Sequence, residues 1–333
     1  MPFRKTFSLA AFLGLLWGLS AADAQGPTGM VRHALPATVG AALLWQPLDA
    51  GTRERLIAVG GVADTVYVVG AGGAVFRRRG MVWEPMNSGS QDDLEGVWVF
   101  SKSSVFAVGS VGDIVYFNGT TWRHMDSGTG EFLRGVWGVS GSSVYVAGTR
   151  GTLIHFDGNS WNPQDPGTGR RLFAVWGAAA DDIFVVGDRG TVVHSDGAGW
   201  SAMDIGTSAA VRGVWGAGAN DVFAVGSGGL IVHYNGLEWA PMMSGTSEHL
   251  LRVWGSAADD VFAVGTQGTI LRYDGSAWGV MESGTANSLQ GVWGSGADNV
   301  FAVGTNGTVL HFTGAVVPVG ESTWGRLKRL YSN

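Results

Sequence analysis

Apolar residues in this 333-residue chain fall in short runs, and nearly every run is bounded by glycine, aspartate or asparagine. Residues 300–303 (Val-Phe-Ala-Val) and 308–312 (Thr-Val-Leu-His-Phe) are typical. Their length, β-branched and aromatic content and flanking turn residues predict β-strands. Runs that are apolar at every position, not at alternate ones, predict strands covered on both faces.

The runs recur with a fixed period. Trp98, Trp137, Trp176, Trp215, Trp254 and Trp293 stand 39 residues apart, and so do Trp83, Trp122, Trp161, Trp200, Trp239 and Trp278. A period near 40 predicts a repeat architecture. Each unit holds four runs, as at residues 250–255, 261–264, 269–273 and 278–281. The second and third are separated by Gly-x-x-Gly (Gly265 to Gly268, Gly304 to Gly307), the third and fourth by Asp-Gly or Asn-Gly (Asn118-Gly119, Asp157-Gly158, Asp274-Gly275). Both spacers predict tight turns in which glycine supplies a positive φ.

Four antiparallel strands in a unit of this length predict a propeller blade. First strands begin near Leu56, Leu94, Leu133, Leu172, Val211, Leu250 and Leu289, so the expectation is all-β, a seven-bladed β-propeller. Residues 45–52 match the end of every later unit. The last blade is therefore expected to take its outer strand from near Trp45. Residues 316–319 are the rival, disfavoured by Pro318 and a missing Trp. The expected organisation is a signal peptide over 1–24, a linker over 25–43, the propeller over 44–314 and a tail over 315–333. In blade one, residues 58–64 lack the Trp and one residue of the period, so that blade is expected to pack least well.

Composition sharpens the picture in three ways. There is no cysteine, which excludes disulfides and thiolate metal sites. The net charge of −6 disfavours non-specific nucleic-acid binding. Arg4 and Lys5 precede the apolar run 9–19, which ends near Ala22-Asp23-Ala24; this is the pattern of an export signal, and the run is too short to span a bilayer. The mature chain is expected to be exported to the periplasm or beyond, without a transmembrane span, and monomeric.

The unit Val253-Trp254-Gly255, Val261 to Gly265, Tyr273-Asp274-Gly275 and Trp278 resembles repeats of exported bacterial propellers over residues 45–312. It is also distantly similar to the propellers of photosystem II assembly factors and of the BNR/Asp-box group, sialidases included. In the Asp-box the Asp and Trp stand one residue further apart than Asp274 and Trp278. A sialidase would need three arginines, a nucleophilic Tyr with its Glu, and an acid Asp. No such set stands out, so the resemblance implies the fold and an assembly role, not that activity.

Several constellations bear on chemistry. Arg77, Tyr116, His155, His194, His233, Arg272 and His311 share one slot in the third strands. Neighbouring sheets lie about 10 Å apart, too far for shared metal ligands, so hydrogen bonding at the blade interface is expected. Asp64, Asp181, Asp182, Asp221, Asp259, Asp260 and Asp298, with Asp157, Asp196 and Asp274, occupy turns on one face and are expected to be structural. Neither a metal nor a cofactor is expected. The Val-Trp-Gly tryptophans are expected in the core, although a lectin would use such a ring for sugar stacking.

On the opposite face the units diverge, which is where a tandem repeat holds its binding chemistry. Arg150, Arg170, Arg171 and Arg189 lie there, with Arg134 near the channel mouth and Glu131, Phe132, Glu248 and His249 along the rim. Arginine forks suit carboxylate, sulfate or phosphate. With no Gly-x-Ser-x-Gly, His-Glu-x-x-His or Cys nucleophile, no catalytic residue is assigned. The function expected is an exported, non-enzymatic scaffold that binds a protein or assembles envelope components through this face. A carbohydrate-binding propeller, and a glycan hydrolase or lyase with loop-borne residues, are the alternatives.

Overall fold

The computed structural model describes residues 42–317. The expected leader over 1–24, most of the linker and residues 318–333 lie outside them. Among the described residues no helix is long and apolar enough to cross a membrane.

Seven four-stranded antiparallel sheets follow one another in sequence, and their first strands begin at the seven residues expected from the repeats. Blade seven joins Leu289–Gly296, Asn299–Gly304 and Val309–Val317 to Ala42–Leu48 as its outer strand. The two candidates for that outer strand turn out to pair with each other. Trp45 faces Phe312, and beyond an irregularity Leu43 faces Val316. The strands thus run from Ala42 to Val317, against an expected 44–314.

The core lies between blades. Phe262, Val264 and Ile270 of blade six pack with Val292, Val300, Leu310, Phe312 and Trp45 of blade seven. The same pairing of neighbours recurs around the ring, so each sheet is covered on both faces, as the continuous apolar runs imply. Second strands are the most deeply buried; Val300, Phe301, Ala302 and Val303 are all fully inaccessible.

Each Val-Trp-Gly tryptophan lies against the matching glycine of the next blade. A Cβ on Gly177, Gly216, Gly255 or Gly294 would lie 2.5–2.6 Å from the ring of Trp137, Trp176, Trp215 or Trp254 respectively. Trp293 closes the series on Gly61 of blade one. At the junction of blades two and three Phe100 fills that place, and Trp98 leans on Trp137 with centroids 6.2 Å apart.

Blade one departs from the expectation of poor packing. Leu56, Val66, Tyr67, Val68 and Val69 are as inaccessible as their counterparts elsewhere. The Trp slot is retained as Gly60, and blade two carries Val99 where the other blades have glycine, so Val99 fills the volume. The residue missing from the period is a bulge: the other six first strands shift register before their hairpin, whereas that of blade one runs straight into a turn with Ala63 at φ 52°.

The Gly-x-x-Gly spacers also differ in detail from the expected hairpin. The second glycine, such as Gly307, has φ +67°, but the first, Gly304, is extended. Glycine is required there because a Cβ would lie 2.1 Å from the carbonyl of Ser288. The residue before the second glycine is also left-handed.

Candidate functional site

The turns between second and third strands are tied to the inter-blade loops by backbone bonds, such as Thr149 N–H to Phe132 O and Asp188 N–H to Arg171 O. These segments make one face of the disc. On it Arg150, Arg170, Arg171 and Arg189 gather around a single depression of about 580 Å³, together with Glu131, Phe132 and Asp188. Phe132, which lines it, is 46% exposed.

The depression is built by the backbone. Arg150 and Arg189 occupy the left-handed position of their turns, at φ 54° and 53°. Gly72 and Gly228 stand there in two other blades and Val111, Gln267 and Asn306 in the remaining three, so the left-handed residue belongs to the turn in every blade. The turn aims the side chain at this position outward, and in blades three and four that side chain is an arginine. The Arg170 guanidinium donates to the carbonyl of Arg189 (3.2 Å), fixing one arginine across the other's turn. Arg150 Nη1 lies 3.2 Å from Glu131, yet its side chain remains 84% exposed. Four cations face two carboxylates here, Glu131 and Asp188.

The rim residues divide. Glu131 accepts from Thr149 Oγ1 (2.6 Å) and Glu248 accepts in the same way from Thr266 Oγ1 (2.6 Å), so both carboxylates brace turns. His249 Nδ1 accepts from the Gly228 N–H. Phe132 remains available to a ligand.

Arg134 does not join the depression. It lies in the first strand Leu133–Ser140 and lines a chamber of about 340 Å³ on the ring axis. Its Nη1 lies 3.4 Å from Glu95, and its guanidinium stands over the Phe173 ring at 5.8 Å; Arg212 stands over the same ring at 5.2 Å. Arg252 lines this chamber too. Arg252, Arg212, Glu95 and Phe173 were not singled out by motif. Arg252 was detectable by comparing units, because the equivalent residue in the other six is Gly or Ala.

The Val-Trp-Gly tryptophans also line the chamber, so they do not form one shallow sugar platform per blade. The third-strand slot is hydrogen-bonded, but within its own blade: Arg77 reaches Glu84 of the fourth strand (2.8 Å), and the others reach the start of the second strand. His194 reaches Asp182 (2.8 Å), His233 reaches Asp221 (2.6 Å), His311 reaches Asn299 (2.7 Å), His155 reaches Ser143 (3.0 Å) and Arg272 reaches Asp260 (2.6 Å). The imidazoles also stack on second-strand aromatics, His311 on Phe301 with centroids 4.2 Å apart. Burial holds the His155 pKa down, and burial with the Arg78 cation holds that of His311 down to about 4.

On the other face, the carboxylates of the turns after the third strands bond to their own loops. Asp157 accepts from the N–H groups of Asn159 and Ser160, and Asp274 from those of Ser276 and Ala277. These bonds lower the pKa of both, that of Asp274 to about 2, led by the Ser276 hydroxyl.

No protein-family model matches the chain, and no curated protein matches it. Among solved structures it is similar to YCF48 bound to D1 peptide, at 16% identity and TM-score 0.69, covering 84% of this chain and 99% of that one. Streptogramin B lyase matches at 10% identity and TM-score 0.71, over 80% and 96%. The WD40 propeller domain of Doa1 matches at 13% and 0.69, over 83% and 98%. At these identities the likeness is one of fold.

Proposed function

We propose that this chain is an exported, non-enzymatic propeller that binds a protein partner through the depression formed by Arg150, Arg170, Arg171 and Arg189. The observation that carries the reading is the convergence of four arginines on one depression that holds only two carboxylates, Glu131 and Asp188. Four guanidinium groups beside an exposed Phe132 suit an acidic segment with an apolar residue. The YCF48 structure with its bound peptide supports a propeller of this shape as a peptide receptor. The basic and apolar leader ending at residue 24 supports export.

The test is capture from a native envelope extract by wild type and by the Arg150/Arg170/Arg171/Arg189 quadruple alanine variant. A partner retained by wild type in low salt and lost by the variant is expected. Identical partners for both proteins would sink this surface. Multivalent binding on a glycan array, unaffected by the four substitutions, would favour the lectin alternative.

A further inference from the structure

The axial chamber is walled by small residues, valines and six first-strand indoles, Trp98 and the five of Val-Trp-Gly, and is interrupted at Gly60, where blade one has no indole. Its charged lining consists of Arg134, Arg252 and Glu95, with Arg212 reaching the same place through Phe173. Glu95 is shared, at 3.4 Å from Arg134 and 3.9 Å from Arg55. Arg55 is itself held by Asp93 at 2.7 Å.

Arg252 is the exceptional residue. Six blades place Gly or Ala at its position, where the first strand approaches the axis. Among the described residues its hydrogen bonds go to two backbone carbonyls, those of Leu251 (2.8 Å) and Arg212 (3.3 Å). Its desolvation, with the cations of Arg134 and Arg212 nearby, pulls its pKa down to about 10 despite the pull of Glu95. The Nε of Arg134 is buried with no hydrogen-bond partner among the described residues. Two guanidinium groups, Arg134 and Arg252, share a low-dielectric apolar wall with one carboxylate, Glu95, that also reaches Arg55, which leaves cationic charge uncompensated.

We infer that the chamber is a binding site for a small organic anion, a carboxylate on a flat apolar body, with Arg252 and Arg134 taking the carboxylate and the indole ring taking the body. A volume of about 340 Å³ suits one or two fused rings rather than a chain. Flat bodies stack on indole faces, and the notch at Gly60 leaves space where a seventh indole would stand. This site is separate from the surface depression, and neither reading depends on the other.

The experiment uses 2-naphthoate as probe, with 2-naphthamide and acetate as its uncharged and bodiless counterparts. Binding is followed by calorimetry and by tryptophan fluorescence. Expected are one molecule of naphthoate per chain, at least tenfold weaker naphthamide, and no measurable heat from acetate. Arg252→Met should fold, since six blades manage without a cation there, and should weaken naphthoate at least tenfold. The double change Gly60→Trp with Val99→Gly restores the consensus pair, fills the notch and should also weaken it. The quadruple arginine variant of the surface depression should bind naphthoate as wild type does. No heat from naphthoate up to millimolar concentration would overturn the inference, as would equal affinity in folded Arg252→Met.

Discussion

Val99 occupies the space that a tryptophan at position 60 would take: a Cβ built on Gly60 would lie 3.5 Å from Val99 Cγ2 and 3.4 Å from Val97 Cγ1. Everywhere else a tryptophan precedes a glycine across the blade junction; here both halves of the pair have changed together. Val99→Gly should therefore cost about 2–3 kcal/mol, from lost burial and added chain entropy. Gly60→Trp with Val99→Gly should recover most of that loss. Equilibrium denaturation of the two variants checks the coupling, and purely additive effects would argue against it.

Trp45 should act as the closing wedge of the ring. It is 4% exposed and packs edge-on against Phe262 of blade six and against Phe312 of its own blade. Trp45→Ala is expected to cost about 3–5 kcal/mol. Hydrogen exchange should show the loss concentrated in blades six and seven. A uniform loss around the ring would mean that closure is not local to this residue.

Acid should weaken the fold through His311. Its pKa in the folded chain is about 4, below that of an unfolded histidine near 6.5, so the unfolded chain binds the extra proton first. Stability from this ring is complete above about pH 6.5 and is lost as pH falls toward 4, at no more than about 1.4 kcal/mol per pH unit. His311→Gln should flatten that part of the profile. An unchanged slope between pH 6.5 and 4 would remove His311 as its source.

The left-handed turns give a prediction of opposite sign. Val111 is β-branched, exposed and held at φ 56°, where a side chain costs about 1–2 kcal/mol. Val111→Gly should raise stability by about 0.5–1 kcal/mol after the entropy of glycine is counted. Arg150→Gly should do the same while weakening partner capture. A stabilised protein with intact capture would separate the strain at Arg150 from binding.

The blades were legible because the repeat states each rule seven times: where a strand begins, which residue turns, which face is apolar. The surface arginines were legible for the opposite reason, as departures confined to turns whose place the repeat had fixed. Arg134 is expected near the channel mouth and lines the axial chamber, because the first strand carries its residues toward the axis, away from the turns. Arg252 was overlooked because arginine beside an apolar strand looks unremarkable until the six small residues at its equivalents are set beside it. The pairing of Val99 with Gly60 needed the geometry, since a contact between successive units leaves no mark within either.

The antiparallel pairing of Trp45 with Phe312 joins the beginning of the described chain to its end. In order of synthesis, the outer strand of the last blade is made first and waits for its sheet until nearly everything else has emerged. Six blades form from contiguous sequence, whereas the seventh requires a contact spanning the whole ring. Such a long-range step is slow. Until it occurs, Phe262 of blade six and Phe312 of blade seven lack the cover of Trp45 and the third strand of blade seven is an open edge, so that latch interval is when the chain is most exposed to aggregation and proteolysis.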